Sequence, residues 1–263
     1  MEQTAKRCRL NCLEILESSG VGHAGGSMSV IDILVALYFH SANISPSNIK
    51  DPLRDRVIFS KAHSCEGMYA VLGEAKFFPR SEFQTYGTWG SRLQGHAEAW
   101  ALPGVEFSGG LLGQGLSFGI GIALAARLNN AKFKVFCVMG DGECQEGQVW
   151  EAVQTGATYK LNNLIAIVDD NKYATVGVTN LEPLAQKWSA FGWNAITVDG
   201  HDTSSIINAI EVAKTEDGNG YPWCIVANTI KGKGIPSWEA SHAHTTAGES
   251  LAKGLEEGRR LFL

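Results

Sequence analysis

Asp141 and Asn171 stand thirty residues apart, each at the end of an apolar run. KVFCVM leads into Gly140-Asp141-Gly142, and LIAIVDD ends at Asn171. That spacing is about the length of one strand–helix–strand crossover. In a parallel sheet both residues then lie at the carboxyl ends of neighbouring strands, on one edge. A carboxylate and a side-chain amide oxygen brought together there supply two legs of an oxygen-only site for a hard divalent cation. Mg²⁺ takes one or two carboxylates and completes its shell with substrate phosphates and water. Gly142 lets a backbone approach closely, and a helix opening after it offers N–H groups to an anion. The pattern reads as a holder for a metal-bridged diphosphate. Asp141 also suits the N-cap of that helix, and one helix end can serve both roles.

The GDG…N pattern resembles the thiamine diphosphate motif, and the segments around it resemble transketolase. They are GHAGG, FSKAHS, LQGHAE, LPGVEFSGGLLGQGLSFGIGIALAARL, GDGECQEGQVWEA, YKLNNLIAIVDDN, LEPLAQKW and DGHD, in matching order from His23 to Gly234. The resemblance implies Asp141 and Asn171 as ligands of Mg²⁺ (or Ca²⁺), the Tyr173 carbonyl as a backbone ligand, and Gly142 as a donor to the diphosphate. Gly110, Leu111 and Leu112 match the family's loop over the cofactor; a glycine-rich helix start that packs closely is the plainer reading. His23, His63 and His96, with His244 in SHAHTT, match histidines of the family's substrate channel. Imidazole suits proton movement near neutral pH. Lys61 and Lys231 fall where the family places lysines that contact the diphosphate or its loops, with solvated surface lysines as the alternative. Glu146 matches an acid at the subunit interface; a first-turn helix acid is the alternative. A His-x-His zinc pair at His242 and His244 lacks further ligands at metal spacing. SGGLLGQG is not a dinucleotide fingerprint, because Phe118 stands where the third glycine would be and no strand precedes it.

Elements must bring these residues together, and the chain alternates between the two kinds. Apolar periodicity predicts helices near 4–18, 28–40, 66–73, 113–128, 146–159, 181–191 and 203–214. Strands are expected near 56–60, 133–139, 164–169, 195–198 and 223–228. The strands are continuous apolar runs, as when helices cover both faces of a parallel sheet. The expectation is a doubly wound α/β fold, a mostly parallel sheet with helices on both faces. The segment from Lys233 onward reads as a functional loop, and residues 1–263 as a single thiamine diphosphate domain.

The 263 residues are 44% hydrophobic and 19% charged, which fits a globular protein with a sizeable core. The net charge of −5 argues against nucleic acid as a partner. No run of eighteen apolar residues appears, and SFGIGIALAA is too short and glycine-rich to span a bilayer, so no membrane role is expected. The N-terminus reads as an amphipathic helix rather than a signal peptide. Six scattered cysteines without a CxxC pair point to a reducing, cytoplasmic compartment.

Transketolases also need a glutamate that activates the aminopyrimidine, and none after Asn171 sits in a strand-to-helix context. That glutamate is therefore expected on a separate pyrimidine-binding subunit, in an α₂β₂ heterotetramer that handles sugar phosphates. The implied activity is transfer of a two-carbon ketol unit from a ketose phosphate to an aldose. One alternative passes a glycolyl unit to a lipoyl or carrier-protein thiol; another is a passive, noncatalytic subunit. Three departures leave the substrate open: Ala62 where glycine is usual, a short segment after Asn171, and HAHTTAG in the C-terminal loop.

Overall fold

Five apolar runs become five parallel strands: β1 (Arg56–Phe59), β2 (Val135–Gly140), β3 (Leu164–Asp170), β4 (Asn194–Asp199) and β5 (Trp223–Asn228). The computed structural model describes residues 1–174, 177–178, 180–216, 218–241 and 243–263. The sheet order is β1-β2-β3-β5-β4. The runs in β2 and β3 look continuously apolar, yet alternate residues serve opposite faces. Phe136, Val138, Ile165 and Ile167 meet one core; Val135, Cys137, Met139, Leu164 and Ala166 meet the other. Period-two alternation survives inside a continuous run because both faces are covered.

On the first face lie α1 (Glu2–Ser19), α2 (Ala24–Ala36), α3 (Cys65–Glu74) and α7 (Thr203–Thr215). The second carries α4 (Gln114–Leu128), α5 (Gly147–Thr158) and α6 (Leu184–Ala190). The expected stripe on α1 is present, with Cys8, Cys12, Ile15 and Leu16 fully buried. Every residue of α2 is buried. With the π turn Leu37–Ser41 that continues it, this segment has the length and mean hydropathy (1.2) of a membrane span, but 89% of it is packed inside the protein.

Two expectations need correction. Helix α2 starts at Ala24, not near residue 28, because its glycines are packing devices rather than loop residues. A Cβ on Gly25 would lie 2.8 Å from the Lys231 side chain, and one on Gly26 would lie 2.6 Å from Ser64 Oγ. The segment after Lys233 is not all loop, since it contains α8 (Pro236–Glu239) and α9 (Gly248–Phe262). Helix α9 buries Leu251, Gly254, Leu255 and Gly258 on one stripe. Just before it, Thr246–Ala247 pairs antiparallel with Val21–Gly22, which ties this segment to the start of α2.

Candidate active site

The carboxyl edge of the sheet gathers the polar residues. Gly140 at the end of β2 is in register with Asp169 of β3, and the Asp141 N–H donates to the Asp169 carbonyl at 3.2 Å. Asp141 and Asn171 are therefore neighbours at one edge, and both line one cleft with Gly142, Glu146, Tyr173, Lys61, His63, Lys231, Leu112 and His244. The cleft encloses about 700 Å³ with its open mouth included.

Asp141 is 1% exposed. Burial pushes its carboxyl up to about 6; Lys61 pulls it down, and Asp169 and Asp170 add to the rise. A carboxylate so placed gains from a divalent cation, whose charge inverts the local field. The Asn171 amide donates to Ser29 Oγ at 3.2 Å, and its Oδ1 accepts the Tyr173 N–H at 3.2 Å. This fixes the amide with an oxygen turned toward the Tyr173 backbone. Gly142 is needed for the same approach, since a Cβ there would lie 2.8 Å from Ala174 Cβ and 3.6 Å from the Tyr173 carbonyl oxygen. A carboxylate, an amide oxygen and a carbonyl around a glycine backbone fit a hard cation and the diphosphate it bridges.

The turn after Gly140 differs from expectation. Gly142–Gln145 is a single 3₁₀ turn, and α5 begins at Gly147 with Glu146 at its N-cap. Asp141 stands at the N-cap of the short turn rather than of α5. The turn is held by Glu143, a buried acid that sequence reasoning missed. Its Oε1 accepts the Gly113 N–H at 2.9 Å and the Ser60 hydroxyl, and its Oε2 accepts the Gly140 N–H at 3.3 Å. One carboxylate thus joins the ends of β1 and β2 to the start of α4. The acid directly after GDG was the available signal.

Lys61 is buried and donates to Asp169 Oδ2 at 2.5 Å, the Gly26 carbonyl at 3.1 Å and Ser29 Oγ at 3.3 Å. Its charge is neutralised by a protein carboxylate. Lys231 is also buried, and its ammonium lies 5.2 Å from the Tyr173 ring centroid. Burial and the nearby Lys61 charge lower its pKa, and Asp141 opposes them. The Lys231 loop is braced by His201 of the DGHD segment. His201 Nε2 accepts the Ile230 N–H at 2.8 Å, while Nδ1 lies 2.8 Å from Asp32 Oδ2. Arg9 holds Asp32 through two further bonds.

All four expected histidines converge. The His23 ring centroid lies 5.6 Å from that of His63, 6.5 Å from His96 and 4.9 Å from His244, and His63 lies 5.3 Å from His244. The register of Gly22 with Thr246 brings His244 to the cluster. Burial, then the Lys61 charge, then the other histidines hold His63 well below the ordinary imidazole value. Burial, His23 and the two lysines lower His244 in the same sense. Both are neutral at physiological pH, each with one N–H and one lone pair. His242, the other half of the considered zinc pair, lies outside the described residues, and among those no three His, Cys, Asp or Glu side chains cluster as a metal site. Gly110 and Leu111 are exposed, Leu111 at 82%. Glu146 is exposed at the cleft rim.

The doubly wound parallel sheet thus carries, at its carboxyl edge, a cleft lined by an acid, an amide and glycine backbone. The chain belongs to the transketolase family: the family model described as transketolase, thiamine diphosphate binding domain, matches residues 1–256. It is 40% identical over 249 residues to the 6-deoxy-6-sulfo-D-fructose transketolase subunit SqwG of Clostridium sp. (strain MSTE9), covering 92% of this chain and 90% of that protein. It is 38% identical to an apulose-4-phosphate transketolase subunit of Actinobacillus succinogenes, covering 98% and 95%. Among solved structures, transketolase from Campylobacter jejuni superposes with a TM-score of 0.87 at 29% identity, over 98% of this chain and 42% of that one. The chain thus spans about two fifths of that structure, and 41% of the human transketolase it matches at 34% identity.

Proposed function

We propose that this chain is the diphosphate-binding subunit of a two-subunit transketolase that moves a two-carbon ketol unit from a ketose phosphate to an aldose. The observation that carries the reading is the placement of Asp141 and Asn171 on adjacent strand ends, around a glycine packed on the Tyr173 backbone. Asp141, Asn171 and the Tyr173 carbonyl would hold Mg²⁺ or Ca²⁺. The Gly142 N–H and Lys231 would receive the diphosphate, with Gly110, Leu111 and Leu112 as the loop over the cofactor. When bound, thiamine diphosphate supplies the carbanion chemistry, and the protein supplies placement and electrostatics.

His63 and His244, kept neutral by burial and neighbouring charges, can donate an N–H to a substrate oxygen and accept a proton in return. His23 packs beside them, its ring centroid 5.6 Å from His63 and 4.9 Å from His244, with His96 6.5 Å away. Lys61 positions rather than binds, because Asp169 already holds its ammonium. Glu146, exposed at the rim, suits contact with a second subunit. Two relatives named as subunits match this chain over nearly their whole length, which supports a separate companion carrying the activating glutamate. Six buried cysteines, all unpaired thiols, accord with residence in the reducing cytoplasm.

The purified chain, given Mg²⁺, thiamine diphosphate, fructose 6-phosphate and ribose 5-phosphate, is expected to transfer nothing. Adding the pyrimidine-binding companion restores transfer. Transfer by the lone chain refutes the two-subunit reading, and no transfer by the pair to any aldose refutes the ketol activity.

A further inference from the structure

Glu66 is a fully buried carboxylate on the first turn of α3, behind the histidine cluster. Its Oε1 accepts the His23 backbone N–H and the Tyr86 hydroxyl, each at 2.9 Å, and its Oε2 accepts the Ser27 hydroxyl at 2.8 Å. Among the described residues, no lysine or arginine pairs with it. Burial alone would raise its pKa, but the bonds from His23 and Ser27 bring it below the ordinary carboxylate value, so it is ionised. The side-chain Nδ1 of His23 is buried, lacks a hydrogen-bond partner, and lies 3.8 Å from the same Oε1. Gly22 makes that approach possible, since a Cβ there would come within 2.4 Å of Oε1.

We propose that Glu66 is a positioning residue that fixes His23 as its Nδ1–H tautomer, leaving Nε2 as the lone-pair nitrogen of the cluster. A lone pair at Nδ1 would set a buried acceptor against a buried anion, with no donor between them. A proton at Nδ1 turns the same contact attractive. Among the described residues, the rings of His63, His96 and His244 surround His23, and the Tyr86 hydroxyl shares Glu66 Oε1 with its backbone N–H. With Nδ1 protonated, Nε2 can accept a proton from a substrate hydroxyl, the arrangement in which a third group orients a base. The inference rests on the channel role given to His23 above.

Glu66→Gln tests it with little disturbance. The amide oxygen keeps the bonds from His23 N and Tyr86, and the amide N–H can donate to Ser27, so the fold persists while the charge is lost. Long-range ¹H–¹⁵N spectra of the full chain labelled at histidine show which ring nitrogen carries the proton. The expected result is an Nδ1–H His23 in the wild type and a shift toward Nε2–H in E66Q. In the assembled enzyme, E66Q should lower kcat about tenfold or more with KM for the ketose little changed. A purely structural Glu66 would lower the melting temperature and leave the tautomer alone, which would overturn the proposal. So would an Nε2–H His23 in the wild type, a result that stands even if E66Q fails to fold. The tautomer is read without sugar or cofactor, so a failure of ketol transfer would sink the proposed function and not this assignment.

Discussion

His63 shows how one residue's surroundings become a measurable property of the whole protein. Its imidazole is held neutral by burial and by the Lys61 ammonium, so its folded-state pKa lies well below the ordinary 6.5. The unfolded chain therefore binds a proton there that the folded chain refuses. Stability from this group is present above about 6.5 and is lost as pH falls toward the depressed value. One such proton changes stability by at most about 1.4 kcal/mol per pH unit. His63→Gln should flatten the decline of melting temperature between neutral and mildly acid pH, measured without cofactor; an unchanged slope would contradict the buried, neutral assignment. Asp141 and Asn171 were legible in the sequence because each is a polar residue at the end of an apolar run, and the four histidines through their match to the family's motifs. Glu66, Glu143 and Asp169 were not. Their partners lie far away along the chain, as with Ser60, 83 residues from Glu143, and Lys61, 108 residues from Asp169. Only folding reveals that those acids are satisfied.

Helix α9 makes the same point for elements. The five strands could be read because Val, Ile and Phe runs between polar turns have few other uses in a chain of this composition. Helix α9 hid because Gly254 and Gly258 occupy the stripe where larger apolar residues would have announced it. The reason is steric: a Cβ on Gly254 would lie 2.1 Å from two atoms of the Trp238 indole. That ring is buried and donates its Nε1–H to the Ser250 carbonyl at 3.1 Å, so it cannot easily move aside. Gly254→Ala sets two effects against each other. Helix propensity favours alanine by about 1 kcal/mol, while overpacking a core costs about 1–3 kcal/mol. Contact at 2.1 Å with a pinned ring puts the cost at the upper end, so G254A should melt several degrees lower. Gly258→Ala meets the Leu13 and Ile235 side chains at 2.6 and 3.0 Å, whose tips can shift, and should lose less. A G254A variant more stable than wild type would overturn this packing account.

For the whole molecule, topology decides where chemistry can occur. Parallel strands send all their carboxyl ends to one edge, and the order β1-β2-β3-β5-β4 reverses direction beyond β3, where open α/β sheets place ligands. Ser60 and Lys61 leave β1, Asp141 leaves β2, Asn171 leaves β3 and Lys231 follows β5, so four strand ends meet at one cleft. This edge was legible once the strands were; the pairing of Val21–Gly22 with Thr246–Ala247 that delivers His244 was not, because two-residue strands leave no apolar pattern. The central claim is that Asp141 and Asn171 together grip a metal-bridged diphosphate. Calorimetric titration of thiamine diphosphate into the assembled enzyme, with and without Mg²⁺, tests it most directly. Metal-dependent uptake by the wild type, weakened at least about a hundredfold (roughly 2.7 kcal/mol) in both Asp141→Ala and Asn171→Ala, is the predicted result. Equal uptake by wild type and both variants, or uptake indifferent to Mg²⁺, would contradict it.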